Sequence, residues 1–282
     1  MRDGPIDIAG LGTIIEHFDH VLLDQWGTLH EGRSIFPQAR DCVTRLRDAG
    51  KRVLVLSNSG KRASNNAQRL ASLGLPTEAY DGILTSGEVT WTGLKARTQA
   101  PLKELGRACL LISRGGDRTI VDGLDLDVVD DIENAEFVLL AGLDDAAAEP
   151  EQWRQRLARA AARGLPMLCA NPDLTMFGAN GLMPAPGALA RFYQALGGHV
   201  TFVGKPHMPI FAAALDRLGH PAPARVLMIG DSLDHDIAGA RAAGMLTLFL
   251  RAGVHRDRLV TDQSGPEGDA RTPNWTMNHL AW

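Results

Sequence analysis

Short apolar runs alternate with helical patterns along this 282-residue chain, and that rhythm restricts the fold more than any single residue does. VLLD (21–24) is followed by a helical pattern near 38–49, with Ala39, Val43 and Leu46 on one face and Gly50 at its end. VLVLSN (53–58) leads into a helix from about Ser64 to Leu73, stopped by Gly74, and GILTS (82–86) opens a third unit. Strands that lack polar alternation, each followed by an amphipathic helix, are what a parallel sheet covered on both faces requires. The rhythm restarts at CLLIS (109–113), FVLLAG (137–142) and PMLCANPD (166–173). It returns at TFVGKP (201–206), RVLMIGDS (225–232) and LTLFL (246–250). The simplest account is an α/β fold: a Rossmann-like core from residues 1–86 and 201–282, with a second α/β unit inserted over 87–200. The polar stretch 263–274 reads as a loop, and the closing WTMNHLAW as an edge strand returning to the core.

Composition excludes several classes of partner. A net charge of -4 and aromatic content of 5% give neither a basic footprint nor stacking platforms for nucleic acid. No run approaches the ~20 apolar residues of a membrane span, and MRDGPIDIAG lacks the basic start and apolar stretch of a secretion signal. Cys42, Cys109 and Cys169 are odd in number and far apart, which argues against a disulfide framework and for a reducing, cytoplasmic setting. Cys109 and Cys169 sit in apolar runs as small buried hydrophobes.

Chemistry-bearing residues gather at the carboxyl ends of the expected core strands, where open α/β sheets build their sites. They are Asp24, Ser57 with Asn58, Lys205, and Asp231 with Ser232, Asp234 and Asp236. This set suits phosphoryl transfer to a carboxylate. Asp24 would attack phosphorus and form an aspartyl phosphate. Mg²⁺, a hard cation, would be held by Asp24 and Asp231 and bridge to a phosphate oxygen. Ser57 and Lys205 would bind the remaining oxygens, with main-chain donors around Gly27 and Thr28 in the same cradle. Ser57 and Asn58 also fit a helix cap, and Asp234 a charge at a helix start.

With these motifs the chain resembles the haloacid-dehalogenase (HAD) superfamily, in particular its class IIA members. DQWGTL resembles the nucleophile loop, LSNS the hydroxyl motif, VGKP the lysine motif and GDSLDHDIAGA the acidic metal motif. Gly32 and Pro37, TSGE (85–88) and NPD (171–173) are similar to class IIA features. The resemblance covers nearly the whole chain. It implies a Rossmann-like core with an α/β cap, and Mg²⁺-dependent hydrolysis of a small phosphorylated metabolite such as a sugar or polyol phosphate. It also implies a metal ligand in the backbone carbonyl of Trp26, supporting roles for Ser232 and Asp236, and a homodimer formed through the cap. Asn171 and Asp173 read either as substrate contacts or as a loop-forming Asx turn.

The departure is Trp26. The resemblance implies an aspartate there, the residue that phosphatases of the superfamily usually carry, to protonate the leaving oxygen and later activate water. Indole can do neither, and such a group is commonly worth ~10²–10⁴-fold in rate. Three routes stay open: a leaving group that needs no proton, another residue in the role, or lost turnover. His30 and His207 follow site motifs and stand as substitutes or as structural or substrate-contacting residues. Two further functions remain beside the phosphatase. One is a phosphate-ester-binding protein without turnover. The other is a metal-independent dehalogenase, since an aromatic two residues after the nucleophile followed by Gly-Thr-Leu is also found there.

Overall fold

The structure, a computed structural model, describes residues 4–178, 181–252 and 270–282. Ala179 and the 263–269 part of the expected loop lie outside the described residues. The chain lays down β1 (Ile6–Asp7), β2 (His20–Asp24), β3 (Arg52–Ser57) and β4 (Gly82–Thr85), with α1 (Pro37–Asp48) and α2 (Ala63–Ser72) between them. There follow α3 (Ser86–Ala96), β5 (Ala108–Ile112), β6 (Asp127–Val129), β7 (Phe137–Leu140), α4 (Arg154–Ala162) and β8 (Pro166–Cys169). Next come the hairpin β9 (Thr175–Gly178) and β10 (Gly181–Pro184), then α5 (Pro186–Ala195) and β11 (His199–Phe202). The chain finishes with α6 (Met208–Arg217), β12 (Val226–Gly230), α7 (Ala238–Ala242), β13 (Leu246–Leu250) and β14 (Trp275–Met277).

Two compact units divide the chain. The core unit comprises Met1–Ser57, Ser64–Leu84 and Lys205–Trp282, and the inserted unit Asn58–Ala63 and Thr85–Gly204. The six residues 58–63 join the insert for a local reason. The Thr85 hydroxyl donates to the Lys61 carbonyl at 2.7 Å, Arg62 pairs with Glu88 at 2.7 Å, and a Cβ on Gly60 would collide with the Ala141 carbonyl.

The core sheet runs β1-β14-β13-β12-β2-β3-β4 among the described residues. Its central strands carry runs such as Val21-Leu22-Leu23 and Leu227-Met228-Ile229, fully buried because helices cover both faces. Sequence order leads from β2 to β3 and β4 on one side, and from β12 to β13 and β14 on the other. The direction of winding therefore reverses between β2 and β12, the place where such sheets bind ligands. One expectation is corrected here. The strand in WTMNHLAW is not at the edge: β14 pairs with both β13 and β1, and the two-residue β1 is outermost. Trp275, Thr276 and Met277 are buried because they have neighbours on both sides.

The inserted unit has its own parallel sheet, ordered β11-β8-β7-β5-β6, and the antiparallel hairpin β9–β10. Alternate strand residues feed two separate cores. Leu110, Val138 and Met167 pack with Leu157 of α4 and Leu189 and Tyr193 of α5. Cys109, Leu139 and Leu168 pack with Leu94 of α3. All three cysteines are buried and free, and burial pushes each thiol up to about 12. Among the described residues, no helix is long and apolar enough to cross a membrane.

Candidate active site

Strand register alone brings three of the expected residues to one row. Leu23 pairs with Ile229, so Asp24 ends β2 beside Gly230, and Asp231 is the next residue. Asp24 pairs with Leu56 on the other side, so Ser57 lies one residue beyond it. Ser57 closes β3 six residues before α2 begins, too early to cap that helix, which removes the capping alternative. It is buried in place.

The loop after Asp24 is a tight turn. Leu29 and His30 amides both donate to the Gln25 carbonyl, at 3.0 and 3.3 Å, and the Gly27 amide donates to the His30 carbonyl at 2.9 Å. Gly27 has φ +85°, and a Cβ there would collide with Oδ2 of Asp231. Only glycine lets the loop backbone lie against that carboxylate. The Trp26 ring packs on its own loop. It meets the His30 ring edge-on, with centroids 5.3 Å apart, and covers Gly32, where a Cβ would strike the indole. Even so, Trp26 remains 37% exposed.

His30 is almost wholly buried, and its Nδ1 accepts the Gly32 amide at 3.0 Å. The neutral ring therefore carries its hydrogen on Nε2. Burial, with Arg69 adding, pushes its pKa down to about 4, so at neutral pH it has no proton to spare. A neutral imidazole, bonded through Nδ1, favours a structural role for His30. Gln25 Oε1, Thr28 Oγ1 and His30 Nε2 are all buried without a partner among the described residues. Three orphaned polar atoms within six residues are a concentration of unmet hydrogen-bonding capacity in this loop.

The acidic motif folds as a single wide turn, a π-helical Leu233–Ile237, before α7. Ser232 Oγ caps the turn by accepting the His235 amide at 3.2 Å, and the Ser232 amide donates to Asp236 Oδ2 at 3.1 Å. The turn sends Asp236 inward, to 1% exposure, over Gly230, whose missing side chain makes the room. Asp234 faces outward and pairs with Arg271 at 3.6 Å. It stays with its helix-start reading.

Lys205 reaches the same place from the segment before α6. Its Nζ donates to Asp24 Oδ1 and Asp236 Oδ1, both at 2.6 Å, and to the Leu56 carbonyl at 3.3 Å. Its side chain is 3% exposed. Carboxylate oxygens of Asp24, Asp231 and Asp236 lie within 4.8 Å of one another. Burial pushes the Asp24 carboxyl well up, Lys205 opposes this, and Asp236 and Asp231 reinforce it. For Lys205, burial works to lower the ammonium, and the flanking Asp236 and Asp24 outweigh it, so it stays charged. Three buried carboxylates against one ammonium leave an excess of two negative charges, which a divalent cation would offset. Hard carboxylate oxygens are the donor type that Mg²⁺ takes. Both Asp236 oxygens already have partners, whereas Lys205 leaves Oδ2 of Asp24 free.

Asn58, Asn171 and Asp173 lie in the inserted unit and bond to one another. Asn58 Nδ2 donates to Asp173 Oδ1 at 2.7 Å, and the Asp173 amide donates to Asn171 Oδ1 at 3.0 Å, the Asx turn foreseen as their alternative. His207 is half-buried and opens α6 without a side-chain bond to the helix amides. The direct Lys205–Asp236 pair is not legible in the sequence. Gly230 immediately before Asp231 signals only that there is room, because a strand that ends in glycine leaves space for a side chain above it.

Comparison with known proteins identifies the family. Residues 21–127 match the family model described as haloacid dehalogenase-like hydrolase, and residues 202–281 match one described as HAD-hydrolase-like. A solved hydrolase of the haloacid dehalogenase-like family from Brucella suis is 32% identical, covers 97% of this chain and 100% of its own, and superposes with a TM-score of 0.84. The chain belongs to the haloacid-dehalogenase-like hydrolases. A dihydroxyacetone phosphatase of Corynebacterium glutamicum is 28% identical over 85% of this chain and 83% of its own length. A glycerol phosphate phosphatase from Mycobacterium tuberculosis, solved in complex with magnesium, is 26% identical over 95% of this chain and 77% of its own, with a TM-score of 0.72.

Proposed function

We propose that the protein is a Mg²⁺-dependent phosphohydrolase that cleaves a small phosphorylated metabolite, such as a sugar or polyol phosphate, through an aspartyl phosphate on Asp24. The observation that carries the reading is the buried Asp24–Lys205–Asp236 chain beside Asp231, at the point where the winding of the sheet reverses. Lys205 fixes Asp24 by its Oδ1 and leaves Oδ2 to attack phosphorus. The excess negative charge is what Asp24, Asp231 and the Trp26 carbonyl would hold Mg²⁺ with. A bound Mg²⁺ would neutralise charge developing on the phosphoryl oxygens. Asp236 keeps Lys205 oriented, and Ser232 in turn holds Asp236. Thr28 Oγ1, buried and unpartnered, supplies a donor for a phosphate oxygen, together with Ser57 and the loop amides near Gly27.

Selection among substrates is assigned to the inserted unit, where Asn171 and Asp173 are the candidate contacts, with His207 a third in the core unit. The reading includes a homodimer, supported by the outward apolar pair Phe177 and Leu182 on facing positions of β9 and β10, 47% and 66% exposed. A reducing compartment is supported by the three free buried cysteines. The test is release of p-nitrophenol from p-nitrophenyl phosphate. Release should require Mg²⁺ and vanish in Asp24→Asn. Release that ignores both would reject the proposal. Binding of phosphate esters without turnover is the second reading, and Trp26 is the residue that favours it.

A further inference from the structure

Among the described residues of the core unit, the groups gathered around Asp24 and its loop (Lys205, Asp236, His30 and Trp26) are not placed to move a proton. Lys205 spends its three donors on Asp24, Asp236 and the Leu56 carbonyl. Asp236 has both oxygens occupied by Lys205 and the Ser232 amide. His30, the loop's own imidazole, has Nδ1 filled by the Gly32 amide and is sealed from solvent at 1% exposure. Trp26 stands two residues after the nucleophile with its ring packed across Gly32 and His30, and indole has no proton to give to an oxyanion.

Resting on the phosphohydrolase reading, we infer that this chain selects substrates by the acidity of the leaving group. It would favour acyl and aryl phosphates, or others that leave as stabilised anions, over simple alkyl esters. In the first step Oδ2 of Asp24 forms a bond to phosphorus while the bond from phosphorus to the leaving oxygen breaks. That oxygen takes the electron pair and departs as a carboxylate or phenolate, which needs no proton at neutral pH. An alkoxide leaving unprotonated is far less stable, so the same step is slow for a primary alkyl ester. In the second step water oxygen bonds to phosphorus, the bond to Oδ2 breaks with its pair returning to Asp24, and both water protons leave on the phosphate. Sugar and polyol esters are thus the slow members of the proposed substrate class. Trp26 is 37% exposed, so a carboxylate placed there is not fully buried.

The experiment measures kcat/KM with Mg²⁺ for acetyl phosphate, p-nitrophenyl phosphate, phenyl phosphate and glycerol 3-phosphate, on wild type and Trp26→Asp. In wild type, efficiency should fall steeply along that series as the leaving group becomes less acidic. The aryl-to-alkyl ratio should shrink by at least ~10²-fold in Trp26→Asp, the lower bound for a restored general acid. An equal ratio in the two proteins, or a wild type that treats glycerol 3-phosphate and p-nitrophenyl phosphate alike, overturns the inference. So does a His207→Ala variant that loses alkyl turnover alone, because it would identify the missing acid. If Trp26→Asp does not fold, as judged by melting, the wild-type series and His207→Ala decide the matter. Absence of any Asp24-dependent turnover would instead overturn the phosphohydrolase reading beneath it.

Discussion

Lys205→Met removes the one positive charge from the carboxylate cluster and keeps most of its bulk. In wild type the ammonium touches Asp24 and Asp236 at 2.6 Å each and is 3% exposed, so solvent screens it very little. Leaving a buried charge without its partner costs about 3–5 kcal/mol. At roughly 2–4 °C per kcal/mol for a domain of this size class, the expected fall in Tm is roughly 6–20 °C in metal-free buffer at neutral pH. The loss should be partly recovered in two ways. Acid recovers it because Asp24, already pushed up by burial and by Asp236 and Asp231, takes up a proton more readily still without Lys205; the deficit shrinks by up to about 1.4 kcal/mol per pH unit as it does so. Magnesium recovers it because three carboxylates with no ammonium attract a divalent cation more strongly than three with one. The Mg²⁺-induced rise in Tm should therefore be larger in Lys205→Met than in wild type. Differential scanning calorimetry at pH 5 and 8, with and without Mg²⁺, reads both effects. A variant that melts with wild type, or whose Mg²⁺ response is the smaller, would refute the charge-balance argument.

Three further outcomes are expected. Because the folded Asp24 pKa lies above its ordinary value, its contribution to stability is present at low pH and lost as pH rises above about 4, so Asp24→Asn should gain on metal-free wild type as pH increases in denaturant melts. A gap that narrows instead would reverse the assigned sign. Gly27→Ala, at φ +85° and against Asp231, should cost at least ~1–2 kcal/mol from backbone conformation and abolish Mg²⁺ binding in calorimetry. Retained binding would mean the loop does not abut Asp231. His30, pushed down to about 4, should show no NMR titration step between pH 5 and 8 and a hydrogen on Nε2. A step in that range would reopen His30 as a proton donor.

How far the sequence discloses this arrangement differs between elements. The strands that carry Asp24, Ser57 and Asp231 are continuous apolar runs ended by polar residues, a local pattern readable without tertiary knowledge. Their meeting follows from strand order alone once the fold is α/β. The Ile6–Asp7 strand was invisible, since two exposed residues have no periodicity, and without it the Trp275–Met277 strand looked like an edge. Pairings between distant residues were equally hidden. Lys205 and Asp236 are 31 positions apart, and Asn58 and Asp173 are 115 apart. Nothing in either neighbourhood announces a partner. The transfer of residues 58–63 to the inserted unit depends on the Thr85–Lys61 and Arg62–Glu88 bonds, which pattern reading does not supply. At Trp26 the family resemblance implies which group is missing, and only the structure shows that the ring lies on Gly32 and His30.

The central claim is that the Asp24 carboxylate becomes covalently phosphorylated. Rapid acid quench of the protein turning over acetyl phosphate with Mg²⁺, followed by peptide mass spectrometry, measures this directly. One phosphoryl group on the peptide that contains Asp24, absent in Asp24→Asn, is the expected result. A phosphoryl group on any other residue, or turnover with no labelled peptide at the earliest quench times, would contradict it.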